Sequence, residues 1–151
     1  MRKKIVGALG RNAIISKNEK ETYYNLIKNI KKTCEKIVNL VKYNDIIIVH
    51  GNGSEIGYLL LQNEIAKKKV PAMPLDILGA ETEGFLGYLI QEQLSNALKK
   101  SKINKNIATI ITQTLVSRKD AAFRKPTKFI GPFYTKRQAE KLEKKFIIRK
   151  D

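Results

Sequence analysis

The chain holds one cysteine and one histidine. Cys34 has no second thiol to pair with, so an internal disulfide is excluded and a reducing cytoplasm is the expected setting. His50 is the sole imidazole and nothing supplies it with an acid partner, so it reads as a structural residue at a strand end. A single Cys and a single His are too little for a nucleophile–base assignment. Long apolar runs are missing too: no stretch approaches the roughly 20 residues a membrane-spanning helix needs. The opening MRKKIVGALG is basic and then briefly apolar, with no small-residue cleavage site, and is predicted to be a first strand rather than a signal peptide. No Gly-Lys-Ser/Thr closes a phosphate loop, and no G-x-G-x-x-G fingerprint is present. No internal repeat or low-complexity block is visible beyond a lysine bias.

Negative charge is scarce, with 14 Asp and Glu against 30 Lys and Arg, for a formal net charge of +16. A basic face releases counterions from phosphates, which admits a nucleic-acid-binding reading. The lysines, however, are scattered over nearly every segment, from Lys17 and Lys20 through Lys28 to Lys32, Lys67 to Lys69 and Lys99 to Lys105 to Lys136 to Lys150. Tyr23 and Tyr24 precede the basic helix instead of forming a stacking platform. A solvated lysine-rich surface accounts for this spread better than a nucleic-acid interface does.

What is present is an ordinary globular balance, 42% hydrophobic and 29% charged over 151 residues, about one domain's worth and enough for one substantial core. Lys4 to Leu9 reads as a buried strand ending at Gly10, followed by a turn, Gly10-Arg11-Asn12-Ala13. From Glu21 to Val41, Tyr23, Ile27, Ile30, Cys34, Ile37, Val38 and Val41 recur at steps of three and four, which predicts an amphipathic helix with Cys34 as a core thiol. Asp45 to Val49 is a second buried strand, running into His50-Gly51-Asn52-Gly53. A helix opens near Glu55, carrying Ile56, Leu59, Leu60 and Ile65 inward. Pro71 and Pro74 bracket a loop, and Leu75 to Leu98 is a long helix containing Gly79, Gly84 and Gly87. Asn106 to Val116 is predicted as a third strand, Ser117 to Pro132 as a basic excursion. Thr135 with Gln138 has capping-box spacing, and Phe146 to Ile148 begins a fourth strand.

This alternation favours a parallel sheet covered by helices, and in such sheets ligands sit outside the carboxyl ends of the strands. Both glycine turns, at Gly10 and at Gly51 to Gly53, fall there. Glycine permits positive φ and close approach of bare backbone N–H groups, and a helix N-terminus adds a favourable dipole. Asn12 and Asn52 place carboxamides that can donate to an anion without titrating. Ordinary strand-to-helix turns would also be rich in Gly and Asn, so an anion site and a plain turn both stay open at this level.

Four ordered motifs narrow the choice. Val6-Gly-Ala-Leu-Gly-Arg-Asn-Ala-Ile14 is similar to the ALGGNA strand and turn of the carbamate kinases. His50-Gly-Asn-Gly-Ser-Glu-Ile-Gly57 with Leu59-Leu-Leu-Gln62 looks like their HGNGPQVG…LLLQ. Pro71-Ala-Met-Pro-Leu-Asp76, with Gly79-Ala80, Gly84 and Gly87-Tyr88, resembles a third family stretch. Asp120-Ala-Ala-Phe123, Pro126-Thr-Lys128 and Ile130-Gly-Pro-Phe133 resemble the fourth and most diagnostic one, which other amino acid kinases lack. The resemblance implies the N-terminal half of a three-layer α/β/α open, mainly parallel sheet of the amino acid kinase type, with 117–133 part of a protruding subdomain. It implies reversible phosphoryl transfer between ATP and carbamate, in the ATP-generating direction of arginine fermentation, with Mg2+ accompanying the nucleotide. Gly10, Gly51, Asn52 and Gly53 would line the carbamate and phosphoryl pocket, and Asn12 would help hold the first turn. Lys128 would bring positive charge over the phosphoryl group, where catalysis is mostly positioning and charge neutralisation.

Three departures qualify the likeness. Arg11 stands where the family has a second glycine; if that position needs positive φ it costs about 1 to 3 kcal/mol and fills the anion slot. The opposite reading is a fork that binds phosphate directly; damage is the preferred expectation. Ser54-Glu55 replaces Pro-Gln, which suits the helix dipole but repels an anion. Family members are also roughly twice as long, and their nucleotide-binding half is absent here. The expectation is a truncated, split or decayed form, inactive alone, with a separate C-terminal half as its candidate partner and a homodimer expected of the complete family member. The alternative is a non-catalytic basic module, binding nucleic acid or a protein partner through an open sheet edge.

Overall fold

The computed structural model describes residues 2–15, 19–128, 130 and 134–143. Two β-branched, apolar segments form strands, β1 (Lys4–Leu9) and β2 (Asp45–His50). They pair in parallel, in a register running from Lys4↔Asp45 to Leu9↔His50. A parallel pair cannot be closed by a tight turn, and the connection is helical: α1 (Arg11–Ile14) and α2 (Tyr23–Tyr43). The predicted turn after Gly10 is thus one turn of helix. α2 starts where Thr22 Oγ1 accepts from Asn25 N–H at 3.3 Å. It stops where the Asn44 side chain donates to the Leu40 carbonyl at 3.1 Å, and Asp45 N–H then donates to Lys3 O at 2.9 Å.

The expected stripe on α2 is real but begins one turn later. Leu26, Ile30, Cys34, Val38 and Val41 are buried, whereas Tyr23, the first helical residue, is 63% exposed. Against α2 lies α4 (Leu75–Lys100), whose Leu86, Leu89, Ile90, Leu94, Ala97 and Leu98 close the core. Leu9, Ile46 and Ile48 reach this core from one face of the sheet. The other face is open: Val6 is 66% and Ile47 56% exposed, and both strands alternate exposed and half-buried positions. The strands are therefore not buried on both faces as their apolar runs suggested. A short apolar run says that one face is covered and leaves the other undecided.

α4 ends in a Schellman motif, with Ile103 N–H on the Leu98 carbonyl at 2.9 Å and Lys102 N–H on Lys99 at 3.0 Å. Lys102 takes the left-handed position, φ 55°, usually given to glycine. The chain then returns along α4. Thr109 Oγ1 donates to Gln91 Oε1 at 2.8 Å, and the Glu83 carboxylate accepts from Thr112 N–H at 2.9 Å and from its hydroxyl at 2.8 Å. No strand is formed over 106–116. The β-branched run was expected to pair in a ladder, but its Thr112 N–H is spent on a side chain of α4, and its isoleucines Ile110 and Ile111 stay exposed.

The chain divides into two compact units, Met1–Asn52 with Gly79–Thr112, and Gly53–Leu78 with Gln113–Asp151. The first holds the sheet and the core just described. In the second, α3 (Gly53–Ala66) has Ile56, Leu59 and Leu60 half-buried, but Ile65 is 75% exposed, opposite to expectation. Its following loop is held by Met73 N–H on Asn63 Oδ1 at 2.9 Å. A 3₁₀ turn, Ala121–Phe123, is capped by Asp120, whose carboxylate accepts from Ala122 N–H at 2.7 Å. α5 (Lys136–Leu142) opens as predicted, Gln138 Oε1 accepting from Thr135 N–H at 2.9 Å. The expected fourth strand at Phe146 to Ile148 lies outside the described residues. Among the described residues no helix is long and apolar enough to cross a membrane.

The return of 107–112 along α4 depends on Gly87, where an added Cβ would stand 2.3 Å from the Thr109 methyl. Gly87→Ala is expected to destabilise the protein by up to about 2 kcal/mol, the clash outweighing the ~1 kcal/mol an alanine gains within a helix. Thr109→Ser, which removes that methyl, is expected to recover most of the loss in the double variant. Urea unfolding of the three variants checks this; a Gly87→Ala protein more stable than its parent contradicts the close approach.

Candidate functional site

The register of the sheet settles where the two glycine turns lie. Leu9 pairs with His50, so Gly10 and Gly51 leave the carboxyl ends of adjacent strands side by side. Gly10 is extended, φ −75° and ψ 172°, and its carbonyl accepts from Ala13 N–H at 2.9 Å. Gly10, Gly51 and Gly53 all lie outside the left-handed region, so backbone freedom is not what these positions use. What they leave is room: a Cβ added at any of the three meets no heavy atom within 4 Å. Gly10 and Gly51 belong to the first unit, and Gly53 opens α3 in the second.

Asn52 is tied down. Its side-chain amide donates to Thr82 Oγ1 at 2.7 Å and to the Gly79 carbonyl at 3.3 Å. Thr82 donates in turn to Gly79 O at 2.9 Å, the back-bond a threonine makes within a helix. Both amide hydrogens of Asn52 therefore point to α4. Sequence reasoning missed Thr82, which is 1% exposed. A signal was there: Thr82 falls four residues from Leu78 and four from Leu86, a polar residue on an otherwise apolar, buried stripe.

Arg11 carries no backbone strain. It is the first residue of α1, and Lys102 is the non-glycine residue with positive φ among the described residues. The strain expected of an arginine in a glycine position does not arise, because the turn is helical there. The guanidinium forms an ion pair and hydrogen bond with Glu21. Asn12 falls within α1, and its side chain lies outside the described residues. Thr33 Oγ1 donates to the Ala13 carbonyl at 2.9 Å, so α2 braces the first turn.

Lys128 is exposed, in the second unit, on a stretch without regular structure after the 3₁₀ turn. Phe129 and Gly131 to Phe133 of its motif lie outside the described residues. His50 Nδ1 lies 3.4 Å from the neighbouring Gly51 carbonyl, a local contact at the strand end. Cys34 is buried with its Sγ 3.8 Å from the Ile90 carbonyl. Burial, then the nearby Glu35 charge, push its pKa up to about 11, so it is a protonated core thiol, as its place on the α2 stripe suggested. Among the described residues no three His, Cys, Asp or Glu converge as a metal site.

No protein-family model matches the chain. In sequence it is similar to the carbamate kinase of Pyrococcus horikoshii, 40% identical over 156 residues, covering 100% of this chain and 50% of that enzyme. In structure it is similar to the carbamate kinase of Giardia lamblia bound to citric acid, with a TM-score of 0.89 and 37% identity. That match covers 95% of this chain and 46% of the enzyme. The Giardia enzyme bound to AMP-PNP matches with a TM-score of 0.84 and 36% identity, covering 99% and 49%. The chain thus spans about half the length of the relatives it matches.

The Arg11–Glu21 pair is solvent-accessible, with 62% of the arginine side chain exposed, and such pairs contribute little. Arg11→Gly is expected to cost no more than about 1 kcal/mol, most of it the helix penalty of glycine. Thermal unfolding checks this; a loss of several kcal/mol would mean that the pair holds the first turn together.

Proposed function

The chain is homologous to the carbamate kinases in sequence and fold, over about half of their length, and on that premise we propose that it forms the carbamate and phosphoryl side of a carbamate kinase. The observation that carries this reading is the parallel pairing that sets Gly10 and Gly51 side by side. Two bare turns on adjacent strands offer backbone N–H groups to one anion, and a Cβ added at either glycine would meet no heavy atom within 4 Å. In the ATP-generating direction an oxygen of the ADP β-phosphate attacks the phosphorus of carbamoyl phosphate, the carbamate O–P bond breaks, and carbamate departs. Gly10 and Gly51 line the place of the transferring group, Asn52 holds the second turn, and Arg11 stands at its rim with its charge balanced by Glu21. The resemblance to the carbamate kinases gives Lys128, in the second unit, the role of the cation on the phosphoryl oxygens.

The nucleotide is the business of a second half. AMP-PNP is bound by the Giardia relative, and half of each relative has no counterpart in this chain. Mg2+ is not matched by a carboxylate cluster among the described residues; it would arrive on the nucleotide phosphates, which need few protein ligands. Phosphoryl transfer needs donor and acceptor in line and charge neutralised from both sides. The chain supplies one of those sides.

ATP formation from carbamoyl phosphate, ADP and Mg2+ tests the proposal. The chain alone is expected to be inactive, and a mixture with the nucleotide-binding half of a related carbamate kinase is expected to form ATP. Lys128→Ala is expected to lower that rate by about 100-fold or more, the usual cost of removing a transition-state charge partner. Activity of the chain alone, or none in the mixture, contradicts the proposal.

A further inference from the structure

Thr82 is buried within α4, 30 positions from Asn52 in sequence, yet its hydroxyl is the nearer acceptor of the Asn52 amide, at 2.7 Å. Asn52 immediately follows Gly51, one of the two glycines brought together by the strand register. A hydroxyl in this place does what no aliphatic residue can. It accepts from Asn52 while donating to the Gly79 carbonyl at 2.9 Å, so one oxygen links the turn to a fixed point on the helix. The second amide hydrogen of Asn52 reaches the same carbonyl at 3.3 Å, closing a three-membered cluster of Asn52, Thr82 and Gly79. The point of attachment is rigid, because α4 packs through Leu86, Leu89 and Ile90 into the core that also receives Leu9, Ile46 and Ile48.

We propose that Thr82 is a positioning residue for phosphoryl binding: through Asn52 it fixes the Gly51–Asn52 turn so that the turn's backbone stands ready for an anion. This deepens the carbamate kinase reading and rests on it. Thr82 does not touch the substrate; it removes the conformational freedom that the turn would otherwise lose on binding. Without the hydroxyl, one half-buried amide donor of Asn52 loses its acceptor and the turn is free to sample other conformations.

The test compares Thr82→Val, which keeps the shape and removes the hydroxyl, with Thr82→Ser, which keeps the hydroxyl, in the full chain. The probe is inorganic phosphate, its affinity measured by NMR titration, alongside hydrogen exchange of the Asn52 side-chain amide. In the unaltered chain that amide is expected to exchange slowly. Thr82→Val is expected to weaken phosphate affinity about tenfold, equivalent to ~1.4 kcal/mol, and to speed the exchange, while Thr82→Ser stays within about twofold of the parent. Unchanged affinity in Thr82→Val, or a serine variant as weak as the valine one, overturns the proposal. If Thr82→Val does not fold, Thr82→Ala makes the same comparison, and fast exchange of the Asn52 amide in the unaltered chain overturns the proposal without any variant. Slow exchange together with no phosphate binding by the unaltered chain would instead count against the carbamate kinase reading and for the linkage of turn to helix.

Discussion

The parallel pairing of β1 with β2 is the constraint on which the rest depends. Parallel neighbours force the chain to return from the carboxyl end of one strand to the amino end of the next, and α1 with α2 makes that return. α2 lies over the face bearing Leu9, Ile46 and Ile48, so the crossover that permits the pairing also supplies half of the core. The other half comes from α4. A single register then fixes the functional geometry, since Leu9 opposite His50 leaves Gly10 and Gly51 no arrangement other than adjacency.

Local signals in the sequence proved sufficient for the long helices and the two paired strands and insufficient for what surrounds them. The three- and four-residue spacing of apolar positions located α2 to within about two residues, because periodicity is imposed by the helix itself. Thr135 and Gln138 marked α5 because a capping box is a contact within one turn. Burial is different, as it depends on what lies opposite. Tyr23 and Ile65 fit their helical stripes but stay largely exposed. Val6 and Ile47 look like core residues yet face outward on the uncovered side of the sheet. The run 106–116 has strand composition, but a strand exists only with a ladder partner, and this run is held instead by its own threonine hydroxyls donating to Gln91 and Glu83 of α4.

The candidate site shows the same division. Glycine turns at the ends of apolar runs were legible, since strand ends and bare residues are local. Their conformation was not: extended or helical backbone at Gly10 and Arg11 replaces the left-handed turn that a glycine suggests, which is why an arginine is accommodated without strain. The roles of Asn52 and Arg11 turn on Thr82 and Glu21, partners that only the fold brings to them. A carboxamide that sequence alone would aim at a ligand is occupied with the helix behind it. Positions such as Thr82 are legible only as anomalies, a hydroxyl where an apolar side chain would fill the same space.

The central claim is that the paired strand ends make one anion site from two turns. Mapping the backbone amide signals of the chain during titration with carbamoyl phosphate tests it most directly. The account predicts that the Gly10 and Gly51 amides shift together with one shared affinity, while the amides around Lys99, Lys102 and Lys105 at the far end of α4 stay in place. Shifts spread over the lysine-rich surface, with Gly10 and Gly51 unmoved, would contradict it.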